Sequence, residues 1–136
     1  MSMAKPMNVF DIAGRAMSAQ LVRLNATASN LANAGSISGS QGEAYRAIRP
    51  VFQTVVEKPG VASVKVDRVV TSDMQATRRH DPGHPLADAN GDVWEAGVDS
   101  SAELVEMIES ARMYQNNVQV MQTAKSLLLE TIRLGK

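Results

Sequence analysis

Two histidines four positions apart stand among carboxylates in the run His80, Asp81, Pro82, Gly83, His84, with Asp88 following, and these are the residue types of a zinc site. Imidazoles at that spacing bind a metal when a helix puts both rings on one face. Pro82, Gly83 and Pro85 make that helix untenable, so the histidines read as part of an ordered surface loop. With no cysteine in the chain, disulfides and thiolate metal sites are excluded. Nor is there a glycine-rich phosphate loop, a G-x-S-x-G elbow or an H-E-x-x-H pair. The expectation is a protein that is not an enzyme, with no metal, no cofactor and no small-molecule substrate.

The elements that would have to carry any site are unusual in composition. Hydrophobic residues make up 44% of the 136 positions and aromatics only 4%, a mixture suited to close helix packing rather than a thick globular core. Fourteen basic residues balance fourteen acidic ones, which argues against a nucleic-acid or polybasic membrane surface. No apolar run reaches membrane-spanning length, so the chain is not expected to be membrane-embedded. Met1 to Phe10 holds no apolar core of a secretory leader, which implies that any exit from the cytoplasm takes another route.

Periodicity dominates both ends. Leu104, Met107, Ala111, Tyr114, Val118, Met121, Lys125, Leu128 and Ile132 alternate spacings of three and four, the seam of a coiled coil with one polar exception. Met17, Leu21, Leu24, Ala28 and Leu31 form a second such row. Beside it runs a row of smaller residues, Ile12, Ala16, Ala19, Arg23, Ala26 and Asn30, which would let another neighbour approach the opposite flank. A helix from about Ala102 to Leu134 spans roughly 48 Å, and one from Val9 to Asn33 roughly 37 Å, so the two can lie antiparallel over most of their length. Asn8 with Asp11 caps the first helix and Gly35 is placed to end it left-handed, while Ser100 with Glu103 reads as a capping box for the second.

Between the helices, Gly35 to Gly42 reads as a mobile loop. Val51 to Val56 and Ala62 to Val70 form a hairpin across Lys58, Pro59 and Gly60, and Thr71 to Gly97 shows no sustained period. Trp94 is expected to anchor the linker before the second helix. The predicted fold is therefore mainly α with a small β region: a coiled-coil-like helical hairpin of long N- and C-terminal helices around a small β-hairpin module. The boundaries are 1–34, 35–99 and 100–136. Met17, Leu21, Leu24, Leu31, Met107, Tyr114, Val118, Met121, Leu128 and Ile132 are the predicted packing and assembly residues. Asn30, Asn33 and Lys125 are candidates for polar contacts between helices. Leu127, Leu128 and Leu129 cover more of the helix circumference than one partner can bury.

The segment N-V-F-D-I-A-G-R-A-M-S-A-Q-L-V-R-L-N from Asn8, followed by A-S-N-L-A-N-A from Ala28, resembles the amino-terminal helix of bacterial flagellar rod proteins. M-Y-Q-N-N-V-Q-V-M-Q-T-A-K-S-L-L-L-E-T from Met113 is similar to their carboxy-terminal helix. Y-R-A at Tyr45 and D-P-G-H-P-L-A-D-A-N-G at Asp81 look like the proximal-rod branch of that family. His80, Asp92 and the pair Ala96, Gly97 depart from its usual pattern. The resemblance implies a structural subunit of the periplasm-spanning rod of the basal body, exported unfolded through the flagellar type III apparatus without a cleaved signal peptide. Its partners would be itself, other rod subunits and that apparatus, with the helices lining an inner tube and the middle forming an outer layer. A soluble helical adaptor or export chaperone, holding partner helices on the same rows, is the alternative reading.

Overall fold

A computed structural model describes residues 8–135, so the leader expectation from Met1 to Phe10 falls almost wholly outside the described residues. Along the chain come α1 (Val9–Asn33), β1 (Ile37–Ser38), β2 (Ile48–Lys58), β3 (Val61–Thr71), β4 (Thr77–His80), β5 (Asp92–Glu95) and α2 (Ser100–Leu134). The start of α1 is a reciprocal cap: Asn8 Oδ1 accepts from the Asp11 amide at 3.1 Å, and Asp11 Oδ2 from the Asn8 amide at 3.2 Å. Its end corrects the expectation at Gly35. Ala34 caps the helix in the right-handed region and donates to Leu31 O, and positive φ occurs only at Gly60 and Gly91 among the described residues.

Strands β2 and β3 pair antiparallel into a ribbon that turns at Pro59 and Gly60, where φ of +80° suits a residue without Cβ. The ribbon lies against α1. Arg15 donates to Ser63 Oγ at 3.0 Å and Glu57 Oε1 at 3.1 Å, and the Arg23 guanidinium sits 4.7 Å from the centre of the Phe52 ring. A second, antiparallel sheet has the order β1, β5, β4. Its short strands are held by β1 from the supposed mobile loop and by Trp94, which is a strand residue paired with Ser38 and Arg78 rather than a linker anchor.

These sheets correct the predicted fold class. The described chain is 47% helical and about 27% strand, a small mixture of α and β rather than a helical hairpin with a minor β module. The strands β1, β4 and β5 have two to four residues each, too short for a period to show, and they form because distant backbone groups pair. The helix contact differs too. Where α1 meets α2 and the ribbon, the fully buried side chains are Thr27, Asn30, Glu103 and Ser110, and the buried apolar core is mostly alanine with Val93. The coiled-coil rows remain half-buried or exposed, because small and polar residues bring the helices together first.

Candidate functional site

A buried polar clamp sets how the helices and the ribbon meet. Asn30, on α1, has no exposed surface, and all its side-chain groups are used. Its Nδ2 donates to Ile48 O and to Glu103 Oε2, each at 3.0 Å, while Oδ1 accepts from the Ile48 amide at 2.9 Å and from Tyr45 Oη at 2.8 Å. Because the tyrosine proton goes to Asn30, the Ser29 hydroxyl donates to Tyr45 Oη at 3.1 Å. Glu103, also fully buried, is paired by Arg49 of β2. The Glu103 hydrogen bond, with Glu103 and Glu106 as nearby charges, raises the Arg49 guanidinium pKa above its ordinary value against the opposing pull of burial.

This use of Glu103 overturns its expected capping role. The N-cap of α2 is Asp99, whose Oδ1 accepts from the Ser101 and Ala102 amides at 3.1 and 3.2 Å. Nothing in the spacing of Ser100 and Glu103 separates a cap from a core carboxylate, Arg49 carries no sequence signal, and Tyr45 stands out only as part of the Y-R-A motif, which does not show that it reaches Asn30. Asn30 thus bonds across to α2, whereas Asn33 Nδ2 donates to Ser29 O within its own helix at 2.8 Å. Lys125 is exposed.

The predicted packing residues line a face rather than a core. Arg23 contacts Phe52 of the ribbon and lies 4.0 Å from Glu106 of α2, so Arg23 and Glu106 mark the ribbon side of the helix pair. At 3.6 residues per turn, Leu21 and Ala28 stand about 150° around α1 from Arg23. Leu104, Ala111 and Val118 stand about 140° around α2 from Glu106. Both rows therefore occupy the flank turned away from the ribbon. Met17, Leu24, Leu31, Met107, Tyr114, Val118 and Met121 are half-buried there or beside it, and Leu21 is exposed. Toward the far end of α2, Leu128 beside the start of α1 and Ile132 one turn further on are 50% and 53% exposed.

The histidine loop is closed by its own backbone. Asp81 N donates to Gly91 O at 2.9 Å, and Asp88 Oδ1 accepts from the Asn90 and Asp92 amides at 2.9 Å each. His84 Nδ1 accepts from the Leu86 amide at 3.0 Å. His80 and Asp92 face each other across β4 and β5 and hydrogen-bond at 3.0 Å, so two departures from the expected pattern are partners. No three metal-binding side chains cluster among the described residues.

Comparison with known proteins supplies the context for these surfaces. A family model described as flagella basal body rod protein matches residues 10–35, and one for the flagellar basal body rod FlgEFG protein C-terminal matches residues 89–134. The chain is 48% identical over 132 residues to a protein named flagellar basal-body rod protein FlgC from Salmonella typhimurium, covering 96% of this chain and 98% of that one. Proteins of the same name from Yersinia enterocolitica and Buchnera aphidicola subsp. Schizaphis graminum are 46% and 37% identical, again over 96% of this chain and 98% of theirs.

Proposed function

The chain belongs to the flagellar basal-body rod protein family, and from that premise we propose how its surfaces build the rod. It is a structural subunit of the flagellar basal-body rod, the shaft that transmits torque for motility. Family membership sets aside the adaptor or chaperone reading. Our reading is that the subunit has no catalytic role and joins copies of itself and other rod components. It reaches the periplasm-spanning part of the rod through the flagellar type III export apparatus. No helix among the described residues is long and apolar enough to cross a membrane. In the assembled rod, residues 1–34 and 100–136 belong to the inner layer and 35–99 to the outer one.

The observation that carries this reading is the apolar flank opposite the ribbon, continued along α2 by Leu128 beside the start of α1 and by Ile132 one turn further on. Met17, Leu21, Leu24, Leu31, Met107, Tyr114, Val118, Met121, Leu128 and Ile132 are proposed as assembly residues, with Lys125 at their edge. Burying a Leu against a neighbour contributes about 1.5 to 3 kcal/mol, and many such contacts along a shaft sum to a stiff joint. The test is Leu128→Asp. Secretion of the variant with no rod assembly and no swimming supports the reading, and unimpaired motility refutes it.

A further inference from the structure

The sequence contains one Asn-Gly pair, Asn90 and Gly91, and it stands in the turn that leads into β5. That dipeptide carries its own chemistry. The backbone nitrogen of Gly91, once it gives up its proton, attacks the side-chain carbonyl carbon of Asn90; ammonia leaves and a five-membered succinimide closes. Water then opens the ring at one carbonyl or the other, giving aspartate or isoaspartate, in which the main chain runs through the former side-chain methylene. Asparagine is thermolabile for this reason, and glycine after it, having no Cβ, leaves the approach unhindered.

The fold holds the pair against this reaction. Asn90 is exposed, so its side-chain amide is open to solvent. The Gly91 N–H, however, donates to Asp88 O at 3.0 Å and the Asn90 N–H to Asp88 Oδ1 at 2.9 Å, which engages the proton that must leave and fixes the torsions between the two nitrogens from both ends. Three further bonds of 2.9 Å tie down the same turn: Asp92 N to Asp88 Oδ1, Asp88 N to Asp92 O, and Asp81 N to Gly91 O. Gly91 has a φ of +78°, and a Cβ built on it would stand 3.1 Å from both His80 Cε1 and Pro82 Cγ. An isoaspartate puts one extra carbon into the main chain in this crowded place. It displaces Gly91 from the Asp81 amide and Asp92 from His80, its partner across β4 and β5.

We propose that Asn90 is a covalent modification site gated by folding: the closed turn suppresses succinimide formation, an open chain undergoes it, and the isoaspartyl product no longer supports the pairing of β4 with β5. In the native protein the reaction runs only through the fraction of molecules whose turn is open. Resting on the export reading, the subunits marked are those kept unfolded ahead of export. The tryptic peptide from His80 to Arg112 has Asn90 as its only asparagine and no glutamine, so any deamidation in it is assigned. The full chain is incubated at mildly alkaline pH in native buffer and in guanidinium chloride, that peptide is followed by mass spectrometry, and isoaspartate is scored with an isoaspartyl methyltransferase. Asn90 should be lost in denaturant and be lost about tenfold or more slowly in native buffer. Asp88→Ala, which removes the Oδ1 acceptor, should raise the native rate severalfold while circular dichroism still shows the helices. Chain aged in denaturant and then diluted should melt lower than fresh chain. Equal rates in the two solvents, a folded Asp88→Ala no faster than the unsubstituted chain, or aged isoaspartyl chain that refolds with an unchanged melt would each overturn the proposal. The comparison on the unsubstituted chain decides it if Asp88→Ala does not fold. None of these readouts uses export or motility, so failure here leaves the rod-subunit reading standing.

Discussion

Glu103 is the residue on which the packing turns, and it is also the one most easily misread. A serine three places before it suggests a helix cap, yet its carboxylate is withdrawn from solvent and held by Asn30 and Arg49. A buried charge is tolerated only while paired, so Arg49→Met should cost about 3 to 5 kcal/mol of unfolding free energy. Adding Glu103→Gln to that variant should recover part of the loss, because the stranded charge is then gone. Urea titration of the two variants checks both statements. Ser110 is the opposite case: its hydroxyl is fully buried and has no hydrogen-bond partner among the described residues. Ser110→Ala should raise stability by up to about 1 kcal/mol in the same assay. Which polar residues would be buried was not legible, since Asn30 and Asn33 look alike in the sequence and only one faces α2 and the ribbon.

At the level of elements, the helices and the β2–β3 hairpin were readable and the second sheet was not. The bounds of α1 and the reach of α2 follow from periods sustained over many turns, and the Asn8 and Asp11 cap is a local device visible in four residues. By contrast β1, β4 and β5 exist because chain segments far apart converge near Gly97. Its carbonyl accepts from the Ala47 amide at 3.2 Å and its amide donates to Tyr45 O at 2.8 Å, just before α2 begins. A Cβ built on Gly97 would stand 2.5 Å from Met74 O, a backbone atom that cannot swing aside. Gly97→Ala should therefore destabilise the fold by about 1 to 3 kcal/mol and lower its melting temperature. Scanning calorimetry of this variant beside Gly14→Ala, where a Cβ meets nothing within 4 Å, separates close approach from helix propensity. Gly14→Ala should be neutral or stabilising, as alanine is the better helix former.

For the molecule as a whole, assembly should depend on surfaces that folding leaves open. Leu128→Asp puts a charge on an exposed position beside Val9 and Phe10, so the monomer should keep its stability while the rod fails to form. Comparing thermal melts of the purified variant with electron micrographs of basal bodies tests that separation. Family membership and the two long helices could be read from the chain because both rest on short-range order: a motif is contiguous, and a helical period repeats within one segment. The α and β balance, the clamp at Asn30 and the outward turn of the apolar rows could not. They depend on which distant groups satisfy one another first, and here alanines, an asparagine and a buried carboxylate claim the contact between the helices. The larger side chains are displaced to the outside, where a period alone cannot say whether they face a core or a neighbour.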